Sequence, residues 1–461
     1  MNIAVKAAVV PELDPGFVPA VLWNRAYRKA AKESGAARDI VIALYRPNGT
    51  VSTYPTQILP DAAENRALTV RYVERLVKFL LWMKGGYKVG IYGAPEIAKE
   101  LAAIYSATGE RKFDFEMMGE RIYGRPFEVV ALDQAPASHE IQVQLGGHMD
   151  GCRIGFDLGG SDRKCAAVVD GKVVHTEEVK WDPYFQKDPE YHRQGILDSL
   201  RRAAEKMPRV DAIGGSAAGV YVDNQPRLAS LFRGVSTEDF KKYVVPMFEE
   251  IQKVYNVPMI VNNDGEVTAL AGAMSMESTG VIGISMGTSV AGGYVNLNGN
   301  ITDWLNELAF VPVDYRADAP ADEWSGDLGC GVQYFCQQGV ARLAKAAGLN
   351  FPADMKFPEQ LVEVQNLMKA HDPRAAAIYR TIGVCFGYTV AHFADFYDLK
   401  NLLILGRVTS GEGGEVIIDE AKKVIAKEFP EYAGIQFRVP DEKFKRHGQA
   451  VVAASLPALK K

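Results

Sequence analysis

The sequence predicts an α/β protein of two related lobes preceded by a further α/β region. Three observations carry that expectation. The order apolar strand, glycine turn, second strand, hairpin occurs at 153–179 and again at 281–302. Each occurrence is followed by helical periodicity and further apolar strands, the mark of a sheet covered by helices. The residues before 150 show a hairpin, a helix and a strand, but lack the Asp and the paired glycines that mark 157–160. The predicted division is 1–150 for the N-terminal extension, 151–264 for the first lobe and 265–461 for the second, with a C-terminal helix returning to the first.

In the extension, Asp39–Leu44 and Val51–Ile58 flank Arg46-Pro47-Asn48-Gly49, a hairpin signal. A long amphipathic helix is expected over Asp61–Lys84 and a strand over Tyr87–Tyr92. An unrelated α/β appendage is favoured over a degenerate copy of the first lobe. In that lobe a helix is expected near 189–206, with Ile196, Leu197, Leu200 and Ala204 on one face. A short strand at Ala212–Ile213 then runs into the small-residue loop Gly214–Gly219. Ser236-Thr237-Glu238-Asp239 reads as a helix start, the helix continuing to about Tyr255, and Val257–Val261 as the next strand. The second lobe opens with Val281–Met286, which ends in Gly287-Thr288-Ser289. Gly292-Gly293 and an Asn298-Gly299 hairpin turn follow. Residues 332–427 read as mainly helical, interrupted by the strand Asn401–Leu405.

Composition narrows the function classes. Of 461 residues, 48% are hydrophobic and 24% charged, the balance of a globular chain rather than a disordered one. A net charge of −5 argues against a broad nucleic-acid footprint. No run approaches 18 apolar residues, and Met1–Phe17 lacks the charged and apolar regions of a signal peptide. Five cysteines, few and odd in number, fit a reducing compartment. The expectation is a cytoplasmic protein without membrane or nucleic-acid partners. The seven histidines show no metal-ligand spacing. Arg25, Arg28, Lys29 and Lys32 read as a solvated helix face, and Phe393, Phe396 and Tyr397 as core.

Phosphoryl transfer needs backbone N–H groups held close to phosphate oxygens, an approach that glycine permits. Asp157-Leu158-Gly159-Gly160-Ser161 and Gly287-Thr288-Ser289-Val290-Ala291-Gly292-Gly293 are two such loops, each on a strand–turn–strand. Either alone is weak; the pair, in order, is much stronger. No G-x-x-x-x-G-K-[ST] is present, nor a G-x-G-x-x-G placed between a strand and a helix. Between the loops lies Asn262-Asn263-Asp264-Gly265, at a strand end. Alone it would read as a helix cap; flanked by both loops, Asp264 becomes a candidate general base for an attacking hydroxyl.

With these residues, 151–461 resembles a sugar kinase of the ROK family (repressors, open reading frames, kinases), within the superfamily of actin, hexokinase and the heat-shock chaperone ATPases. The implied fold is α/β, a two-lobed actin-like ATPase (ribonuclease-H-like) arrangement with the N-terminal α/β domain added. The two glycine loops are similar to the family's phosphate motifs. Gly215–Asp223 resembles the loop beside the sugar, Asn306-Glu307-Leu308-Ala309 the Gly-Glu-x-Gly segment, and Leu403-Ile404-Leu405-Gly406 the turn at the adenosine pocket. The resemblance implies Asp264 as general base. It implies Ser216, Asn263, Asp264 and Glu307 as sugar-binding residues. It also implies ATP held by Asp157, Gly159, Gly160, Ser161, Lys164, Gly287, Thr288, Ser289 and Gly406, with Asp157 holding Mg²⁺ through water. A small-molecule sugar is the implied partner, and a homodimer is the family's common state. Arg163 and Lys164, beside the first phosphate loop, read equally as phosphate-binding residues or as plain hairpin surface.

Three departures qualify the resemblance. Phe310 stands where many members carry a zinc-binding His, and of the zinc cysteines only Cys330 remains, so no zinc site is expected. Val332 takes the place of a further sugar-contacting Glu. Arg407 follows Gly406 where a second glycine is usual. Two rival functions stay open: a sugar-sensing regulator of the same family, and a sugar-binding pseudokinase. Residues 1–150 carry 18 Lys+Arg against 17 Asp+Glu, a net of +1, which is low for a DNA-reading arm.

Overall fold

In the computed structural model, residues 3–140, 145–439 and 444–459 are described, with the side chains of 444–447 (His447 among them) outside that description. Helix α1 (Ala20–Glu33) turns Val21, Trp23 and Tyr27 inward. Strands β1 (Arg38–Tyr45) and β2 (Val51–Ile58) form the expected hairpin, with Tyr45 opposite Val51. Helix α2 (Ala63–Lys84), β3 (Lys88–Tyr92), α3 (Pro95–Ile104), α4 (Lys112–Glu116) and β4 (Glu128–Leu132) complete the N-terminal region. Its sheet runs β2–β1–β3–β4, with β1 antiparallel to both neighbours and β3 parallel to β4. From Tyr72 to Met83 every residue of α2 is buried, including Glu74, Arg75 and Lys78.

The next sheet is built from β5 (Cys152–Leu158), β6 (Asp162–Val169), β7 (Lys172–Lys180), β8 (Ala212–Ala217) and, beyond a small hairpin β9 (Val220–Val222) and β10 (Gln225–Leu228), β11 (Met259–Asn263). Its order is β11–β8–β5–β6–β7. β6 runs antiparallel to both its neighbours, while β5, β8 and β11 run parallel. The first strand of the N-terminal sheet meets its β3 neighbour antiparallel, whereas β5 meets β8 in parallel. The N-terminal sheet therefore has a different topology from the first lobe's sheet.

Helix α5 (Pro189–Ala204) covers one face, packing Ile196 and Leu200 onto Ile154 and Phe156. The single helix expected over 236–255 is broken. A short turn α6 (Thr237–Asp239) passes into a π-helical stretch, Phe240–Val244, and α7 (Met247–Tyr255) begins only after Pro246. Proline has no N–H to continue the ladder, so the backbone is re-registered there. Helix α8 (Asp264–Ser275) follows directly on β11.

The second lobe's sheet, ordered β13–β12–β14–β15, comprises β12 (Val281–Met286), β13 (Val290–Val295), β14 (Asn401–Leu405) and β15 (Gln436–Arg438). Between β13 and β14 come α9 (Val332–Phe335), α10 (Gln337–Ala346), α11 (Phe357–Lys369) and the buried α12 (Pro373–Ala394), and α13 (Glu412–Glu428) lies against α12. The last helix, α14 (Phe444–Ala454), lies across β5 and β8. Glycine makes that possible: a Cβ at Gly155 would stand 1.7 Å from Ala450 O, and one at Gly214 1.6 Å from Ala453 O. The α/β expectation, two lobes plus an N-terminal α/β region, is met.

The chain divides into two compact units. One holds Met1–Ile141, Ile284–Ala291 and Trp304–Phe437; the other holds Gln142–Gly283, Gly292–Asp303 and Arg438–Lys461. Within the first, two residues of the basic α1 stretch leave the solvated face: Arg25 pairs with Asp395 and Glu431 at 2.6 Å, and Arg28 with Asp395 at 3.3 Å. Lys29 and Lys32 are exposed as expected. Phe396 packs on Phe79 with ring centroids 4.2 Å apart, and Phe393 and Tyr397 are buried. His392 is buried among the same rings, and that burial pushes its pKa down to about 3. All five cysteines are buried and free. Among the described residues no helix is long and apolar enough to cross a membrane.

Candidate active site

In the unit centred on β5, the parallel strands β5, β8 and β11 bring four of the expected residues to one edge. Strand register sets Asp157 opposite Lys164 on β6 and opposite Ser216 on β8, while Asn262 lies across from Ser216 on β11. Ser216 is fully buried, and its hydroxyl donates to Asp157 Oδ1 at 2.8 Å. Lys164 Nζ lies 3.6 Å from Asp157 Oδ2 and 2.8 Å from Asp162 Oδ1. Arg163, one residue earlier on the strand, faces the other way. It donates to Ser199 Oγ at 2.6 Å and Asp198 Oδ2 at 2.7 Å on α5. Side chains alternate across a strand, so only Lys164 of the pair shares the Asp157 face.

Asn263 is the N-cap of α8. Its Oδ1 accepts the Gly265 N–H at 2.7 Å, and its Nδ2 donates to Gly219 O at 2.6 Å. Capping and site placement are thus one arrangement, because the same side chain ties the Gly215–Asp223 loop to the start of the helix. Asp264 occupies the first helical position, half-buried, with its Oδ1 accepting from Gly265 N–H at 3.0 Å. Burial, and then the charge of Asp157, push its pKa up to about 6. A helix N-terminus favours the anion, so both effects act against that pull. Asp157 is itself pushed up by burial, with Lys164 and the Ser216 hydroxyl opposing.

One residue of this edge had no role assigned from the sequence. Tyr221, on β9, has a buried hydroxyl with no hydrogen-bond partner among the described residues. Burial and the nearby charge of Asp264 push its phenol far up. The only sequence signal was its membership of the small-residue loop. Replacing Tyr221 by Phe leaves no group orphaned, so stability should hold or rise by up to about 1 kcal/mol in a urea titration.

Gly159, Gly160 and Ser161 form the turn between β5 and β6 in this same unit, with Gly159 N–H donating to Asp162 O at 2.9 Å and the Ser161 hydroxyl to Asp162 Oδ2 at 2.9 Å. Gly287, Thr288, Ser289, Gly406 and Glu307 lie in the other unit. Gly287 N–H donates to Ser289 O at 3.0 Å, and Gly287 O accepts from the Gln337 N–H that opens α10. Thr288 and Ser289 are exposed at the tip of this turn. Gly406, after β14, has φ +108°, and a Cβ there would lie 2.3 Å from Met286 O. Both features demand glycine. Gly406→Ala should therefore cost about 2–3 kcal/mol, whereas Gly411→Ala, at φ +75° with open space, should cost about 1 kcal/mol. Thermal melts of the two variants check the difference. Glu307 stands on a separate segment, where Asn306, buried at φ +50°, accepts a hydrogen bond from the Tyr397 hydroxyl at 2.7 Å.

Among the described residues no group of three or more His, Cys, Asp or Glu is arranged to hold a metal ion. Phe310 instead packs against Trp82, Phe113 and Trp324, with ring centroids 4.3, 5.6 and 5.5 Å away. Cys330 is fully buried, which pushes its thiol far up.

The sequence model of the ROK family matches residues 153–456. The chain belongs to the ROK family. Among similar solved structures, the ROK hexokinase from Thermus thermophilus has a TM-score of 0.53 at 17% identity, over 66% of this chain and 96% of that one. A ROK family transcriptional regulator, a homologue of the E. coli MLC protein, has 0.51 at 15% identity, over 78% of this chain and 87% of that one. A ROK family glucokinase from Streptomyces griseus, in complex with glucose and AMPPNP, has 0.48 at 20% identity, over 66% and 98%. At these identities the likeness is one of fold. No curated protein matches the chain. The ROK family contains sugar kinases as well as sugar-binding regulators, and this chain carries its two-lobed fold without a zinc cluster among the described residues.

Proposed function

We propose that this ROK protein is an ATP-dependent sugar kinase that phosphorylates a hydroxyl of a hexose or hexose derivative. The observation that carries the reading is Asp264. It is a half-buried carboxylate at a helix start, beside Asp157, with a proton affinity raised to about 6. A base of that affinity is mostly ionised at neutral pH, yet accepts a proton more readily than an ordinary carboxylate. Asp264 takes the proton of the attacking hydroxyl, and Asn263 and Glu307 orient the sugar. Ser216, whose hydroxyl is committed to Asp157, acts by holding that carboxylate in place.

The residues present fit Mg²⁺–ATP. Asp157 offers carboxylate oxygens of the kind hard divalent ions prefer, and the cation beside it, Lys164, stays 3.6 Å from Oδ2. Asp157 would hold Mg²⁺ through water; the backbones of Gly159–Ser161 and Gly287–Ser289 would hold phosphate oxygens, with Lys164 beside them and Gly406 at the adenosine. When bound, Mg²⁺ neutralises charge on the phosphates. Retention of both glycine loops, Asp157 and Asp264 favours a kinase over a non-catalytic sugar binder.

A coupled ADP-release assay over hexoses and N-acetylhexosamines tests the proposal. Sugar-stimulated ADP release is the expected result. If no sugar stimulates ATP use but one raises the melting temperature, the protein is a sugar sensor instead.

A further inference from the structure

The N-terminal region has no role in the reading above, yet its longest helix ends against the segment that carries Glu307. A helix leaves its last four carbonyls without intrahelical partners, and in α2 each of the four is accounted for. Leu81 O accepts from Gly85 N–H at 2.8 Å, and Lys84 O accepts from Arg46 Nη1 at 3.3 Å. The other two are taken from outside the region. Trp82 O accepts the Glu307 N–H at 3.0 Å, and Met83 O accepts the Asn306 N–H at 2.9 Å. Lys84 Nζ sits 4.1 Å from the centroid of the Trp304 ring. The Trp82 ring meets Phe310 at 4.3 Å, while its Nε1–H donates to Asp114 Oδ1 at 2.6 Å. Residues 304–310 are therefore held at two backbone amides and both ends by a single helix turn.

From this we propose that α2 is a positioning element for sugar recognition: its last turn fixes the backbone of Asn306 and Glu307 and thereby sets the Glu307 carboxylate for the acceptor sugar. The role rests on the proposed sugar-kinase reading, which makes Glu307 a sugar ligand. A backbone clamp on two consecutive residues limits how their side chains can be presented. Loosening the clamp raises the sugar's dissociation constant and leaves ATP binding alone.

The test compares Trp82→Ala with Trp82→Phe, which keeps a ring against Phe310, and with Ile91→Ala. Ile91 is a buried strand residue of the same region that takes no part in the clamp. Hydrogen exchange at the Asn306 and Glu307 amides, calorimetric affinity for the best sugar of the panel, and KM for ATP are measured on the full chain. Trp82→Ala should speed exchange at both amides and weaken sugar binding at least tenfold. KM for ATP should stay within twofold, and Trp82→Phe should restore most of the loss. Ile91→Ala, even with an equal drop in melting temperature, should change neither amide exchange nor sugar affinity. Faster exchange with unchanged sugar affinity overturns the proposal, as does equal weakening by Ile91→Ala. If the wild-type chain binds no sugar, the kinase reading fails on its own. Unchanged exchange in Trp82→Ala would then show separately that α2 does not hold the segment.

Discussion

Asp264→Asn should lower sugar-dependent turnover about 10²–10⁴-fold while making the fold more stable at pH 8. The two effects have one origin. In the folded chain the Asp264 pKa is raised, by burial first and Asp157 second, from 3.8 to about 6. A carboxyl whose folded pKa exceeds its unfolded one contributes stability when protonated. That contribution is fully present below about pH 4 and is lost as pH rises through about 6. At pH 8 the ionised side chain is a net cost. For a fully enclosed group a rise of that size would be worth about 3 kcal/mol; partial contact with solvent reduces it to about 1–2 kcal/mol. Asparagine carries no charge and keeps an oxygen for the Gly265 N–H, so the cost disappears with the base. Urea midpoints for parent and variant should diverge at pH 8 and converge at pH 4–5. The parent's turnover should rise with pH through about 6, and the variant's residual activity should lack that limb. If turnover is unchanged with sugar present, Asp264 is not the base.

The edge built by β5, β8 and β11 was readable because its parts are local. Asp157 opens a glycine turn between two strands, and Asn263-Asp264 follows a strand directly, so both stand out once the two glycine loops are read together and in order. Arg163 and Lys164 were indistinguishable by composition. Strand alternation separated them only once the partner on each face was known. The α2 junction left no trace in the sequence for a different reason. Trp82 and Glu307 are far apart along the chain and meet through backbone atoms, which carry no residue signature. Asp327 is 252 residues from Arg75, and periodicity reports only which side of a helix is buried. In α2 it could not report that Arg75 and Lys78 are buried too, since a charged residue in a helix pattern reads as its solvent face. The break at Pro246 shows the converse: local chemistry ended a helix whose hydrophobic pattern ran on.

Those buried charges make Asp327→Asn the change with the largest expected loss of stability. Glu74, Asp114 and Asp327 face Arg75, Lys78 and Arg111, three carboxylates against three cations. Asp327 lies 3.2 Å from Arg75 and 3.1 Å from Lys78 and also pairs with Arg111. Glu74 is 2.6 Å from both arginines, and Asp114 is 2.9 Å from Lys78. All six are buried. Burial opposes ionisation of Asp327, but Arg75, Lys78 and Arg111 outweigh it and hold the carboxyl well below the ordinary range. A depressed pKa contributes stability that is present above about pH 4 and lost as pH falls below it. The parent should therefore lose stability in that acid range, and the Asn variant should show less of that dependence.

At pH 7 Asp327→Asn leaves one cation of the six-charge group uncompensated, at a cost of about 3–5 kcal/mol. Removing Asp327 together with a cation, as in Asp327→Asn with Lys78→Met, should recover part of that loss, because the remaining charges again balance. The exposed pair Arg201–Glu205, at 2.9 Å, provides the contrast: Glu205→Gln should move the urea midpoint by the equivalent of less than about 0.5 kcal/mol. An Asp327→Asn midpoint no lower than that of Glu205→Gln would mean the six charges are not acting as one buried group. The N-terminal region contributes five of them and the second lobe one, so a single side chain decides whether a balanced charge cluster holds α2 against the 324–330 loop.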